Sequence, residues 1–229
     1  MWEAYKNGFK AYLQLERSLS DNSVEAYMHD LDKLTEYLQE AQILKNPGDI
    51  ELKHLQQFIR WVGELGMTAS SQSRIVSGIR SFYKYCLMED LLKKDPTVLL
   101  ETPKQQKKLP DVLSFEEIEN IIAQIDLSTP EGIRNKAILE TMYSCGLRVS
   151  ELVNLRLSCL YFDVGFIRVI GKGDKERLVP IGKSAIKHVN IYRDTIRVHM
   201  EVKKGSEDIL FLNRRGSQLS RVMIFILLK

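Results

Sequence analysis

Apolar residues recur at helical spacing through the first hundred positions, and the pattern predicts four helices. Trp2, Tyr5, Phe9, Tyr12 and Leu13 mark the first. The second follows a cap-like run, Ser20-Asp21-Asn22-Ser23, and aligns Val24, Tyr27, Met28, Leu31, Leu34 and Leu38 on one face. Asn46-Pro47-Gly48-Asp49 breaks the chain. A third helix turns Leu52, Leu55, Phe58, Ile59, Val62 and Leu65 inward and stops near Gly66. Thr68 can cap a fourth, with Ile75, Ile79, Phe82 and Cys86 inward and Tyr83 and Tyr85 read as packing residues. With no internal repeat and no strand signal, residues 1–101 read as a small all-α domain.

The period then changes. Residues 102–112 hold two prolines, three lysines and no buried pattern, which is the composition of a basic linker. From residue 113 the pattern mixes helix and strand. Ser114 and Glu117 stand at capping-box spacing before one helix, and a second runs from about Gly132 to Tyr143. Two β-rich runs, Phe166 to Ile170 and Glu176 to Pro180, flank Gly171-Lys172-Gly173-Asp174 and predict a hairpin. A long helix is expected from about Lys183 to Val202, then a short extended piece and turn from Asp208 to Ser220. Ser220 can cap a last helix, whose residues are strongly apolar and end without a C-cap. A terminal helix docked on the core is one reading. We favour the other, a domain continued beyond what the 229 residues contain. The fold class is mainly α, an all-α four-helix domain followed by an α+β domain with a small antiparallel sheet.

Charge sharpens this division. Residues 1–101 carry 12 Lys+Arg against 15 Asp+Glu, net −3, whereas the remainder is net +6. A basic second half suits a polyanionic partner, and any such contact in the first half must come from a local stripe. Three cysteines without metal-ligand spacing fit a reducing compartment, so a cytoplasmic location is expected. No apolar run approaches the ~20 residues of a membrane span. Four scattered histidines give little support to a metal site.

Three features could carry chemistry. Gly171-Lys172 does not fit a nucleotide-binding P-loop, because Gly165 is one position too far away and Gly173 replaces the Ser/Thr. It is either a solvated hairpin tip or, with Lys175 and Arg177 in the same hairpin, a lysine reaching into a phosphate groove. Arg148 follows Gly146-Leu147 at a helix start, where the macrodipole disfavours a cation. Either it pairs with a carboxylate such as Glu151, or it shares an incoming phosphate with the free N–H groups of the first turn. On the fourth helix Arg74, Ser77, Ser81 and Lys84 share one face, with Arg80 beside them. That face is an ordinary solvated one or a phosphate-backbone contact.

Two stretches together resemble the start of the catalytic domain of tyrosine recombinases of the bacterial Xer type. They are LETMYSCGLRVSELVNLRLSCL (139–160) and FIRVIGKGDKERLVPIG (166–182). RSLSDNSVEAYMHDLDKL (17–34) and residues 68–97 resemble the family's core-binding domain, so the resemblance spans nearly the whole chain. It implies that Arg148 holds the non-bridging oxygens of a scissile phosphate and that Lys172 protonates the departing 5′ oxygen. The family cleaves through a 3′-phosphotyrosyl link without metal, ATP or other cofactor. DNA contacts are then expected from Arg74, Ser77, Arg80, Ser81 and Lys84, from the linker's Lys104, Lys107 and Lys108, and from Lys175 and Arg177. Implied partners are double-stranded DNA, a second Xer-type recombinase subunit and, as a further candidate, a DNA translocase. The family's H-x-L-R-H box, its later His/Trp and its tyrosine nucleophile have no match in these residues. The expectation is a recombinase suited to chromosome-dimer resolution whose given chain binds DNA but does not cleave it. The alternatives are a non-catalytic DNA-binding or regulatory remnant and a mobile-element integrase.

Overall fold

The computed structural model describes residues 2–104, 109–171, 173 and 175–228. Lys107, Lys108 and Lys172 lie outside the described residues. The chain divides into two compact units, Met1–Leu109 and Pro110–Lys229.

The first unit is helical. α1 (Glu3–Ala11) continues through a wide turn at Tyr12–Glu16, and α2 (Asp21–Glu40), α3 (Leu52–Glu64) and α4 (Ala69–Met88) complete it. The apolar stripes meet in one core, in which Phe9, Leu31, Leu34, Leu55, Phe58, Ile75, Ile79 and Phe82 are fully buried. Phe9 meets Phe82 edge-to-face at 5.5 Å, a favourable arrangement of ring quadrupoles. Thr68 caps α4, accepting the Ser71 N–H at 3.3 Å. Tyr83 is buried and donates its hydroxyl proton to the Pro47 carbonyl at 3.3 Å, so it packs as expected. Leu65 departs from expectation and is 54% exposed. The helix ends at Glu64, so Leu65 is its cap residue and leaves the helical register, and Gly66 follows at φ +78°.

Residues beyond α4 remain part of this unit. Leu100 is buried, and the Arg80 guanidinium donates to the Leu100 carbonyl and, at 3.2 Å, to the Thr102 hydroxyl. The Ser73 hydroxyl reaches the Pro103 carbonyl at 3.3 Å.

The second unit opens with α5 (Phe115–Ala123), whose Ser114–Glu117 capping box forms as its spacing predicts. α6 (Pro130–Cys145) follows and ends at Gly146 in the left-handed region, φ +56°. α7 (Val149–Val153) leads to a three-stranded antiparallel sheet of β1 (Leu160–Tyr161), β2 (Phe166–Ile170) and β3 (Glu176–Pro180), in the order β1-β2-β3. Ile170 pairs with Glu176 and Phe166 with Pro180, which sets the hairpin register. β1 has only two residues, too few for any alternation to register in sequence.

α8 (Lys183–Thr195) is shorter than its predicted span to Val202. Thr195, Ile196 and Val198 are β-branched and weaken the helix, and Arg197 captures a competing set of acceptors. Its guanidinium donates to the carbonyls of Ile209 at 3.0 Å and Glu207 at 2.6 Å, tying the chain to the segment after it. α9 (Arg221–Leu228) starts under Ser220, whose hydroxyl accepts the Met223 N–H at 3.3 Å. Ile224 is buried against the core of this unit, while Val222, Phe225 and Ile226 face outward. Cys86, in the first unit, and Cys145 and Cys159, in the second, are buried free thiols.

Candidate phosphate-binding site

Gly146 stops α6, buried Leu147 anchors the turn, and Arg148 becomes the residue just ahead of α7. Its side chain is 75% exposed, yet Nη1 donates to Glu151 Oε1 at 2.9 Å and its backbone N–H donates to Oε2 at 2.8 Å. From β3, Arg177 approaches the same carboxylate with both prongs, at 2.8 and 2.9 Å. Glu151 therefore accepts four hydrogen bonds while its side chain is only 3% exposed. The forked Arg177 bonds, with those from Arg148, hold the Glu151 carboxyl at about 2, well below the usual carboxylate range.

This arrangement resolves the oddity of a cation at a helix start. A buried carboxylate three residues on answers Arg148, and α7, with five residues, has little dipole to oppose it. Two cations share one anion, so the cluster keeps an unmatched positive charge. Arg148, the more exposed of the two, carries it toward solvent. The hairpin meets the cluster at Gly171, whose N–H donates to the Lys175 carbonyl at 2.8 Å. A Cβ on Gly171 would stand 3.7 Å from Glu151 Oε1, so the base of the hairpin lies against the carboxylate. Lys175 is exposed.

The α4 residues divide by partner. Lys84 reaches solvent, and Ser81 is half-buried. Arg74 pairs with Asp30, Ser77 donates to the Ser73 carbonyl at 3.0 Å, and Arg80 is occupied by Leu100 and Thr102. Lys104 is exposed at the end of the first unit. Of the two acids that organise these cations, Glu151 pairs with Arg148 as its spacing allowed, whereas Asp30 carries no signal in the sequence analysis. Among the described residues no cluster of three or more His, Cys, Asp or Glu side chains could hold a metal ion. Likewise no helix there is long and apolar enough to cross a membrane.

A helical N-terminal unit joined to an α+β unit with this arginine-glutamate cluster matches two domain families. Residues 7–90 match the phage integrase N-terminal SAM-like domain, and residues 111–228 match the phage integrase family. The chain belongs to the phage integrase family and is a tyrosine recombinase by descent. Within it the likeness is to the Xer type. The chain is 40% identical over 218 residues to tyrosine recombinase XerD of Staphylococcus aureus, covering 95% of this chain and 73% of that protein. It is 37% identical over 221 residues to XerD of Listeria monocytogenes, covering 96% and 74%. A crystal structure of a lambda integrase dimer bound to a COC′ core site shares the fold, with a TM-score of 0.73 at 14% identity over 99% of this chain and 75% of that one.

Proposed function

We propose that the chain grips double-stranded DNA as a Xer-type site-specific recombinase does, and that these 229 residues bind the duplex without cutting it. The observation that carries the reading is the Arg148–Glu151–Arg177 cluster, a fixed and exposed guanidinium with net positive charge behind it. Arg148 supplies donors to the non-bridging oxygens of one phosphate, and Lys172 is assigned to protonate the leaving 5′ oxygen. Glu151 and Arg177 hold the first of these in place. Lys84, Lys104 and Lys175, all exposed, give sequence-independent contacts along the backbone, with Arg74, Ser77, Arg80, Ser81, Lys107 and Lys108 completing the set.

The uncut duplex follows from chemistry. Cleavage in this family needs a tyrosine oxygen beside the activated phosphate and the H-x-L-R-H donors, and that motif does not occur in the sequence. Tyr143 is half-exposed, with its ring 6.2 Å from Phe115, and Tyr161 sits on β1. Neither corresponds to the family's nucleophile. We assign a second Xer-type subunit as the protein partner, a DNA translocase as the controller, and the cytoplasm as the compartment. Three buried free thiols suit that reducing setting.

A nicked suicide substrate carrying a recombination site tests both halves. The expected result is binding whose affinity falls steeply with salt, and no covalent protein–DNA adduct. An adduct overturns the non-cleaving reading, and salt-insensitive or absent binding overturns the DNA reading. Arg148→Ala is expected to weaken binding modestly and lower the salt slope by about one phosphate contact.

A second reading is a regulatory binder that occupies recombination sites, which the exposed Arg148 would serve equally. Addition of the chain to an active recombinase reaction distinguishes it. Inhibition in proportion to site occupancy supports this reading, and unchanged turnover removes it.

A further inference from the structure

Asp30 is an acid in the wrong place by ordinary rules. It lies three residues after Tyr27 and four before Leu34, on the inner face of α2, and its side chain is 3% exposed. Space for it comes from Gly78 on α4. A Cβ at Gly78 would overlap Asp30 Oδ2 and stand 3.0 Å from the Asp30 side-chain carbons. The absent side chain makes a notch in α4, and the carboxylate fills it.

A buried carboxylate needs a counter-charge, and burial pushes the Asp30 carboxyl upward while Arg74 pulls it back. Arg74 stands one turn before the notch on the same helix. Its Nη1 donates to Oδ2 at 2.9 Å, and Nη2 lies 2.7 Å from Oδ1, close but off line for a hydrogen bond. Nη1 also reaches the Ala26 carbonyl at 3.4 Å. The pair is lopsided, with the acid enclosed and the Arg74 side chain 52% exposed. A guanidinium has five N–H groups. Among the described residues Nε–H and the outer hydrogen of Nη2 donate to nothing, and together they form a fork edge of the kind that fits a phosphate.

We propose that Asp30 is a positioning residue for nucleic-acid binding. Seated in the Gly78 notch, it holds Arg74 in one orientation so that the free edge of the guanidinium meets a backbone phosphate. The inference rests on the DNA-binding reading above and deepens it by naming what orients one contact. It also opposes simple electrostatics. A carboxylate near a phosphate contact repels the ligand, so removal of its charge alone would tighten binding. Orientation acts in the other direction, because an arginine already ordered loses less freedom when the duplex arrives.

The test is the affinity of Asp30→Asn for a fluorescently labelled random-sequence duplex across a salt series, with folding followed by circular dichroism. The expected result is a folded chain that binds about fivefold more weakly. Its salt slope should be lower by about one phosphate contact. Arg74→Lys, which keeps the charge but loses the fork, should match that loss. The double variant should be no weaker than either single one, since both remove the same contact. Should Asp30→Asn fail to fold, Arg74→Lys decides alone, and wild-type affinity in that variant overturns the proposal. Wild-type binding with Asp30→Asn unchanged or tighter overturns this inference and leaves the DNA reading standing. No salt-sensitive binding by the wild type sinks the DNA reading and this inference with it.

Discussion

Glu151→Gln lowers the stability of the second unit by about 3 kcal/mol, the lower end of what breaking a buried ion pair costs. The wild-type carboxylate accepts four hydrogen bonds at 2.8–2.9 Å from two arginines on different elements. An amide can accept at one position only and leaves Arg148 and Arg177 facing each other without a counter-charge. The lower end of the range applies because both arginines keep contact with water. Denaturant unfolding followed by near-ultraviolet circular dichroism measures it. Acid gives a second test. The Glu151 carboxyl is held at about 2 in the fold, well below its ordinary 4.5, by the hydrogen bonds from Arg177 and Arg148. Because the folded value is the lower one, this stabilisation is complete above about pH 4.5 and disappears as pH falls toward 2. The glutamine variant has no such carboxyl, so its stability should change less over that acid range. An equal acid slope in both proteins would refute the assignment.

Gly132→Ala is the second large effect, and its cause is steric. Gly132 is buried in the first turn of α6, where its N–H donates to the capping Thr129 hydroxyl at 3.0 Å. The Asp126 carbonyl lies directly over it, so that an added Cβ would overlap backbone, which cannot swing aside as a side chain could. Either the turn from Asp126 to Thr129 opens or α6 loses its cap. Overpacking and the lost cap together should lower stability by about 3 kcal/mol. Gly182→Ala is the control. Its Cβ would approach only the Ser144 hydroxyl, at 3.1 Å, and the cost should stay below about 1 kcal/mol. Thermal unfolding of the two variants side by side checks the contrast, and equal losses would refute the steric account.

Much of this molecule is legible in its sequence, for local reasons. The helical stripes of the first unit, the Ser114–Glu117 box and the hairpin strands all rest on spacings of two to four residues, and these are what side-chain geometry repeats. Legibility fails where the partner is distant in sequence. Arg177 finds Glu151 from 26 residues away, and Gly78 makes room for Asp30 from another helix. Asp30 was in principle visible, since helical spacing puts it on the inner face of α2 between Tyr27 and Leu34. An acid there signals a buried partner only once Arg74 is known to cross it. The end of α8 was hidden for a related reason. The helix yields at Ile196 to carbonyls that Arg197 reaches ten and twelve residues later. Arg148 marks the limit of a site reading from one sequence. Spacing offers it both Glu151 and an incoming phosphate, and the anion the fold sets against it is Glu151.

The three buried thiols give the molecule its own clock. Only a thiolate reacts readily with an alkylating reagent, and burial pushes the Cys86 thiol up to about 12. At neutral pH it is therefore held as the unreactive thiol, on a sulfur enclosed while α4 stays packed. Burial raises the Cys145 thiol as well, and Cys159 is equally enclosed. Labelling then proceeds only through opening, and each unit keeps separate time. Cys86 records exposures of the helical unit, and Cys145 and Cys159 record those of the unit that carries Arg148.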